Sequence, residues 1–163
     1  MKVKAACAIR GFQRGNIQLL QMHEPGGNSL MPHFELPQVA VPSMNAVHAE
    51  ELEVLAALEK ALEDGETDAI AKAARAFLDH VEEHFSREER LMEQYGFPPY
   101  PIHRHEHELM RARVKDLCEN CASDDGRQAL LRFVREEFPA WLTQHVSTMD
   151  TVTAQFLAMQ GVE

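Results

Sequence analysis

The chain has 163 residues, a length that fits one domain whose core can stand without disulfide staples. Its 16 basic and 26 acidic residues leave a formal charge of -10, which argues against a nucleic-acid backbone or an anionic membrane as main partner. Hydrophobic residues make up 45%, a globular proportion, and no uncharged apolar run approaches the roughly 18–20 residues of a membrane span.

Residues 1–32 carry scattered glycines and prolines with no sustained period, and read as an irregular N-terminal extension. Among the first residues, with Lys2, Lys4 and Arg10, only Ala5 to Ile9 run uninterrupted between charges, too short for the apolar segment of a signal peptide. Three cysteines make no disulfide framework and suggest a reducing compartment, so a cytoplasmic location is expected. From residue 33 to 163 the chain reads as one helical domain. Ser43, after Pro42, is the expected cap of a first helix with an apolar stripe of Val47, Leu52, Leu55, Leu58 and Leu62, stopped by Asp64-Gly65. A second helix starts near Glu66 or Thr67 and carries Ile70, Ala74, Phe77, Val81, Phe85 and Met92. The Gly96–Pro101 segment breaks it. A third runs from about Ile102 to Glu119, and Ser123-Asp124-Asp125-Gly126 punctuates. A fourth carries Leu130, Val134, Phe138, Leu142, Val146 and Val152, with Pro139 expected to kink or restart it. Four amphipathic helices with short connections predict an all-α fold, an antiparallel up-and-down four-helix bundle.

The nine histidines stand out. His84 and Glu88 are four residues apart, as are His103 and His107, so each pair shares a helix face. His145 and Asp150 are five apart, about 140° out of register in an ideal helix. They meet at one site only if the site is wide or the helix bulges. His48 lies on the first helix. All four helices can thus offer metal ligands. If both carboxylates and one further oxygen bridge two metals, the five histidines divide three and two. One metal is then six-coordinate, and the other is five-coordinate with a position open. Nitrogen-rich, oxygen-bridged octahedral coordination suits iron better than zinc. The Glu-x-x-His pairs of ferritin-like bundles and the HExxH motif of zinc proteases are both absent. His23, His33 and His105 read as ordinary histidines. His80, one turn before His84, reads as a neighbour that steadies a ligand.

The segment His84-Phe85-Ser86-Arg87-Glu88-Glu89, then Met92, Tyr95-Gly96-Phe97-Pro98 and His103-x-x-x-His107, resembles the hemerythrins, specifically the bacterial single-domain kind. So do Trp141-Leu142-x-x-His145-x-x-x-x-Asp150 and His48 preceded by Met44-Asn45. The resemblance implies a non-haem cofactor of two iron ions with an oxo or hydroxo bridge. His103, His107 and His145 would hold the six-coordinate iron, His48 and His84 the other, and Glu88 and Asp150 would bridge. It implies reversible O2 binding as a hydroperoxide at the open iron, for carriage, storage or delivery, and no enzymatic role. An unidentified oxidase or signalling partner fits that reading. The alternatives are an O2, NO or redox sensor acting through a partner, and a di-iron peroxidase or NO-detoxifying enzyme. The chain departs from the family pattern at Leu36, where Trp is frequent, at Asn45, where Asp is usual, and at Glu51, where Leu is common. These departures lie on the first-helix side and predict a comparatively short-lived oxygenated form, with Leu52, Phe85 and Thr148 near the entrance. The lone Cys118-x-x-Cys121 lacks the βαβ context of redox chemistry.

Overall fold

The structure, a computed structural model, describes residues 35–163. The expected extension, with His23 and His33, lies outside the described residues. Four antiparallel helical rods follow a short extended strap. They are α1 (Pro42–Asp64), α2 (Thr67–Tyr95), α3 (Tyr100–Glu119) and a long fourth rod. That rod consists of α4 (Asp124–Arg132), a π turn over Phe133–Glu137, α5 (Phe138–His145), a second π turn over Val146–Asp150, and α6 (Thr151–Met159).

The helix ends follow from local chemistry. Gly96, at φ 66°, closes α2 in the left-handed region that suits glycine, and Phe97 N–H reaches back 2.8 Å to the Met92 carbonyl. Ser123 caps α4 by accepting from Gly126 N–H at 3.1 Å. Gly126 has no room for a Cβ, which would stand 1.9 Å from the Asn120 carbonyl oxygen.

Two expectations need correction. Ser43 is not the cap of α1. Pro42 opens the helix with its preset φ, after an extended Val41, and the Ser43 hydroxyl donates to the Glu163 carbonyl at 2.9 Å. The third helix begins at Tyr100, with Pro101 in its first turn. Pro139 falls where a restart is expected, in the first turn of α5, and the backbone angles at Arg132, Phe133, Glu137 and Phe138 are helical. The π turn before it lets Phe138 N–H reach the Phe133 carbonyl, so the proline ring and its missing N–H are absorbed by a wider turn.

Each rod is divided along its length. Leu55, Leu58 and Leu62 of α1, Ile70, Phe77 and Val81 of α2, Val114 and Leu117 of α3, and Leu130, Phe133 and Phe138 of the fourth rod build an apolar core at one end. Burial of each such large side chain contributes about 1.5–3 kcal/mol. The opposite half of every rod carries most of the buried polar residues: His48 and Glu51, His84 and Glu88, His103 and His107, His145 and Asp150; Glu59, at the apolar end, is paired with Arg135. Antiparallel packing brings these four halves together. Phe85 and Trp141 stand between the two regions.

Candidate metal centre

The seven residues singled out from spacing converge in the interior. His48, His84, Glu88, His103, His107, His145 and Asp150 are each at most 4% exposed. The π turn settles the five-residue spacing of His145 and Asp150. Thr151 N–H bonds to the Val146 carbonyl across the bulge, and His145 Nε2 comes within 3.2 Å of Asp150 Oδ1.

The two carboxylates each face two ways. Glu88 Oε1 lies 3.4 Å from His84 Nε2 and 3.8 Å from His48 Nε2, while its Oε2 lies 3.6 Å from His103 Nε2 and 3.5 Å from His107 Nε2. Asp150 Oδ2 lies 3.3 Å from His48 Nε2, and its Oδ1 lies 3.2 Å from the Nε2 atoms of His103 and His145. One oxygen of each carboxylate therefore faces His48 and His84 or His48 alone, and the other faces the remaining set.

The interior suits cations. His145 Nε2 is 2.9 Å from His103 Nε2 and 3.1 Å from His107 Nε2, so lone pairs converge without protons enough to satisfy them. His48 Nε2, Glu88 Oε2 and both Asp150 oxygens are buried without hydrogen-bond partners. Such groups are costly unless something positive sits among them.

The far ring nitrogens are held. His103 Nδ1–H donates to Thr153 Oγ1 at 3.0 Å, and that hydroxyl contacts Met92 Sδ at 3.9 Å. His107 Nδ1–H donates to Glu89 Oε1 at 3.2 Å, and Arg111 grips the same oxygen at 2.7 Å. Phe85 stacks on His107 at 4.1 Å, and Trp141 on His145 at 4.5 Å. His84 Nδ1–H donates to Glu51 Oε2 in a short contact.

Glu51 is the residue that periodicity missed. It is fully buried, whereas Leu52 is only half-buried. The buried stripe of α1 runs through Val47, Glu51, Leu55, Leu58 and Leu62. The signal was a carboxylate at a core position, one turn after His48. His80, 15% exposed at its side chain, brings Nε2 to 3.6 Å from Glu51 Oε2. His105 is exposed.

The electrostatics follow from these contacts. Burial opposes protonation of His84, but the Glu51 carboxylate, with Glu88, outweighs it and raises the imidazole well above 6.5. Burial and the Asp150 charge push Glu88 up, yet the His48 and His84 imidazoles beside it win and lower it to about 2. Burial likewise opposes Asp150 ionisation, but His103, His145 and His48 hold that carboxyl well below its ordinary value.

Cavities touch the centre at His48, at His103 and, as a small gap beside Met44, Val47 and Leu91, at His84 and Glu88. One of about 290 Å³ runs between the strap and α1 to His48, lined by Leu36, Pro37, Asn45 and Leu52 among others. One of about 250 Å³ reaches His103, lined by Phe97, Ile102, Thr148, Met149 and Val152. Thr148 thus stands on the His103 side, exposed, its hydroxyl donating to the Gln144 carbonyl at 2.7 Å. It does not border the cavity at His48. Phe85 is fully buried against His107 and is no entrance residue. Asn45 joins the strap to α1, accepting from Val39 N–H at 2.8 Å and donating to its carbonyl at 2.9 Å. Cys118 and Cys121 are free thiols at the apolar end, and burial pushes Cys118 up to about 12. No helix among the described residues is long and apolar enough to cross a membrane.

The fold and site define a helical-bundle protein with a buried histidine-carboxylate cluster fit for metal ions. A family model described as the hemerythrin HHE cation binding domain matches residues 39–157, and the chain belongs to the hemerythrin family. It is similar to a bacteriohemerythrin of Aquifex aeolicus (strain VF5), 35% identical over 114 residues, covering 70% of this chain and 87% of that protein. A bacteriohemerythrin of Ralstonia nicotianae (strain ATCC BAA-1114 / GMI1000) is 37% identical over 101 residues, covering 62% of this chain and 72% of its own. The crystal structure of a hemerythrin mutant shares the fold, with a TM-score of 0.63 at 20% identity over 73% of this chain and 89% of that one.

Proposed function

We propose that the chain is a di-iron protein that binds O2 reversibly, for carriage, storage or delivery. The observation that carries this reading is the two-way facing of Glu88 and Asp150, each with one oxygen toward either histidine set. His103, His107 and His145 would hold one iron, His48 and His84 the other, and the two carboxylates would be shared. Nitrogen-rich donors with shared carboxylates favour iron over tetrahedral zinc. A pair of irons supplies the two electrons that O2 takes up on binding and gives back on release.

The chain's own residues do the rest. The His48 and His84 side has one ring fewer than the other side, which leaves room for a small ligand. The cavity ending on His48 gives that ligand a way in. Phe85, Met92, Leu142 and Val146 are fully buried and keep bulk water from the interior, where charge is poorly screened. Thr153 and Glu89 fix the rings of His103 and His107, so their Nε2 lone pairs stay aimed inward. The names of the relatives support O2 as the ligand.

The test is metal analysis and absorption spectroscopy of the full chain loaded with Fe2+ under argon. Two irons per chain are expected, with a visible band that air produces and argon purging removes. Glu88→Gln puts a poorly coordinating amide where both histidine sets need an oxygen, and is expected to lose one iron. A parent chain with one iron, or a band that purging never reverses, overturns the reading.

A further inference from the structure

The Glu51–His80–His84 cluster lies one ring outward from the shared carboxylates. Glu51 is fully buried, and its neighbours among the described residues are histidines rather than arginine or lysine. Its Oε2 takes the His84 Nδ1–H, His80 Nε2 stands 3.6 Å from the same oxygen, and Oε1 has no partner. The other carboxylate on a ring nitrogen is different: Glu89, which accepts from His107, is neutralised by Arg111 at 2.7 Å. His103 meets only a hydroxyl, and His48 Nδ1 meets nothing. The two histidine sets are therefore unequal. One ring alone, His84, leans on a buried carboxylate with no strong cation of its own.

We propose that Glu51 is a positioning residue that acts through His84: it fixes the ring with Nε2 toward Glu88 and lends the His48–His84 side a negative charge, so that this side binds its metal more tightly and favours the more highly charged ion. The inference rests on the two-metal reading above. Two effects are combined in it. The hydrogen bond sets the tautomer, because a proton on Nδ1 leaves the Nε2 lone pair free for a metal. The carboxylate polarises that N–H, which makes Nε2 a stronger donor, and its charge, poorly screened in the interior, favours the ferric over the ferrous ion. A carbonyl-type oxygen in the same place would give the first effect without the second.

Three full-length chains separate them: the parent, Glu51→Gln and Glu51→Leu. In the metal-free state with 15N-labelled histidine, the His84 Nδ1–H resonance is expected far downfield in the parent, retained in Glu51→Gln and lost in Glu51→Leu. Fe2+ titration under argon should show two irons per chain in the parent. The second is expected to be about 10- to 100-fold weaker in Glu51→Leu and intermediate between that variant and the parent in Glu51→Gln. Spectroelectrochemistry should give both variants a higher reduction potential, with about 59 mV for each tenfold loss of ferric preference in a one-electron step. A side chain that merely fills space would leave the potential of Glu51→Gln unmoved, and that result overturns the proposal even if Glu51→Leu fails to fold. So does a folded Glu51→Leu that binds both irons as tightly as the parent. A parent chain that takes fewer than two irons overturns the two-metal reading first.

Discussion

His145 Nε2 stands 3.2 Å from Asp150 Oδ1, although their five-residue separation would set them about 140° apart on an ideal α-helix. The π turn over Val146–Asp150 takes up the extra residue. Downstream of it, Ala154 and Leu157 are back in register with the core. Deleting exposed Ser147 should close the bulge into an α turn that keeps both His145 and Asp150 facing inward. Inserting alanine after Ser147 should instead turn α6 by about 100° and expose Leu157, at a cost of about 1.5–3 kcal/mol for that side chain alone. Melting temperature and iron content of the two variants decide it. A deletion variant less stable than the insertion would mean that the bulge is not a one-residue accommodation.

Much of the bundle could be read from the sequence because its stops are chemical. Gly65, Gly96 and Ser123 end or begin helices where backbone geometry or a cap demands it. The clustering of His84 with Glu88, and of His103 with His107, was legible because an i, i+4 pair shares a face. Glu51 was not, since a stripe read by apolar character passes to Leu52 and skips a carboxylate in the buried register. Nor could side-chain period settle the π turns, which are backbone hydrogen-bond events. The spacing of His145 and Asp150 left only the choice between a wide site and a bulge. The partners of the far ring nitrogens, Thr153 and Glu89, depend on contacts between rods that no single helix encodes.

Asn45 stands where the family usually has aspartate, and the structure uses both ends of its amide. One end accepts from Val39 N–H at 2.8 Å and the other donates to the Val39 carbonyl at 2.9 Å. Asn45→Asp removes the donor and sets a carboxylate oxygen against that carbonyl. It is expected to destabilise the chain by about 1–3 kcal/mol, read from denaturant unfolding. The strap over the His48 cavity should loosen with it, speeding hydrogen exchange at Val39. Unchanged stability and exchange would show that the strap holds without this clamp.

The sequence pattern sets Thr148 near the ligand entrance. Its hydroxyl instead donates to the Gln144 carbonyl within its own rod, on an exposed surface facing the His103 cavity. Thr148→Val is therefore expected to leave the decay of the air-induced absorption band unchanged, at equal iron content. Leu52→Ala, which widens the cavity at His48, should speed that decay. A slower decay in Thr148→Val would place the hydroxyl in the ligand's path after all.

The metal-free chain should lose stability in mild acid, and His107 is one cause. Burial lowers its imidazole from 6.5 to about 2, with Glu88 opposing and His103 and His145 adding to the fall. The unfolded chain thus takes a proton that the native chain refuses between those values, so native stability falls with pH across that window. For this one group the slope is about 1.4 kcal/mol per pH unit. Glu88 adds to the fall only below 4.5, since its native carboxyl titrates at about 2. His48 and His84 are raised in the native state, so their stabilisation is complete below 6.5 and is lost only as pH rises through their native values. Between 6.5 and 4.5 the slope from His107 should therefore stand apart from these groups. In the metal-free chain, denaturant midpoints of His107→Gln are expected to decline less than the parent's over that range. Parallel declines would mean that native His107 takes up its proton near the ordinary value, and that the acid sensitivity of the centre lies in other groups.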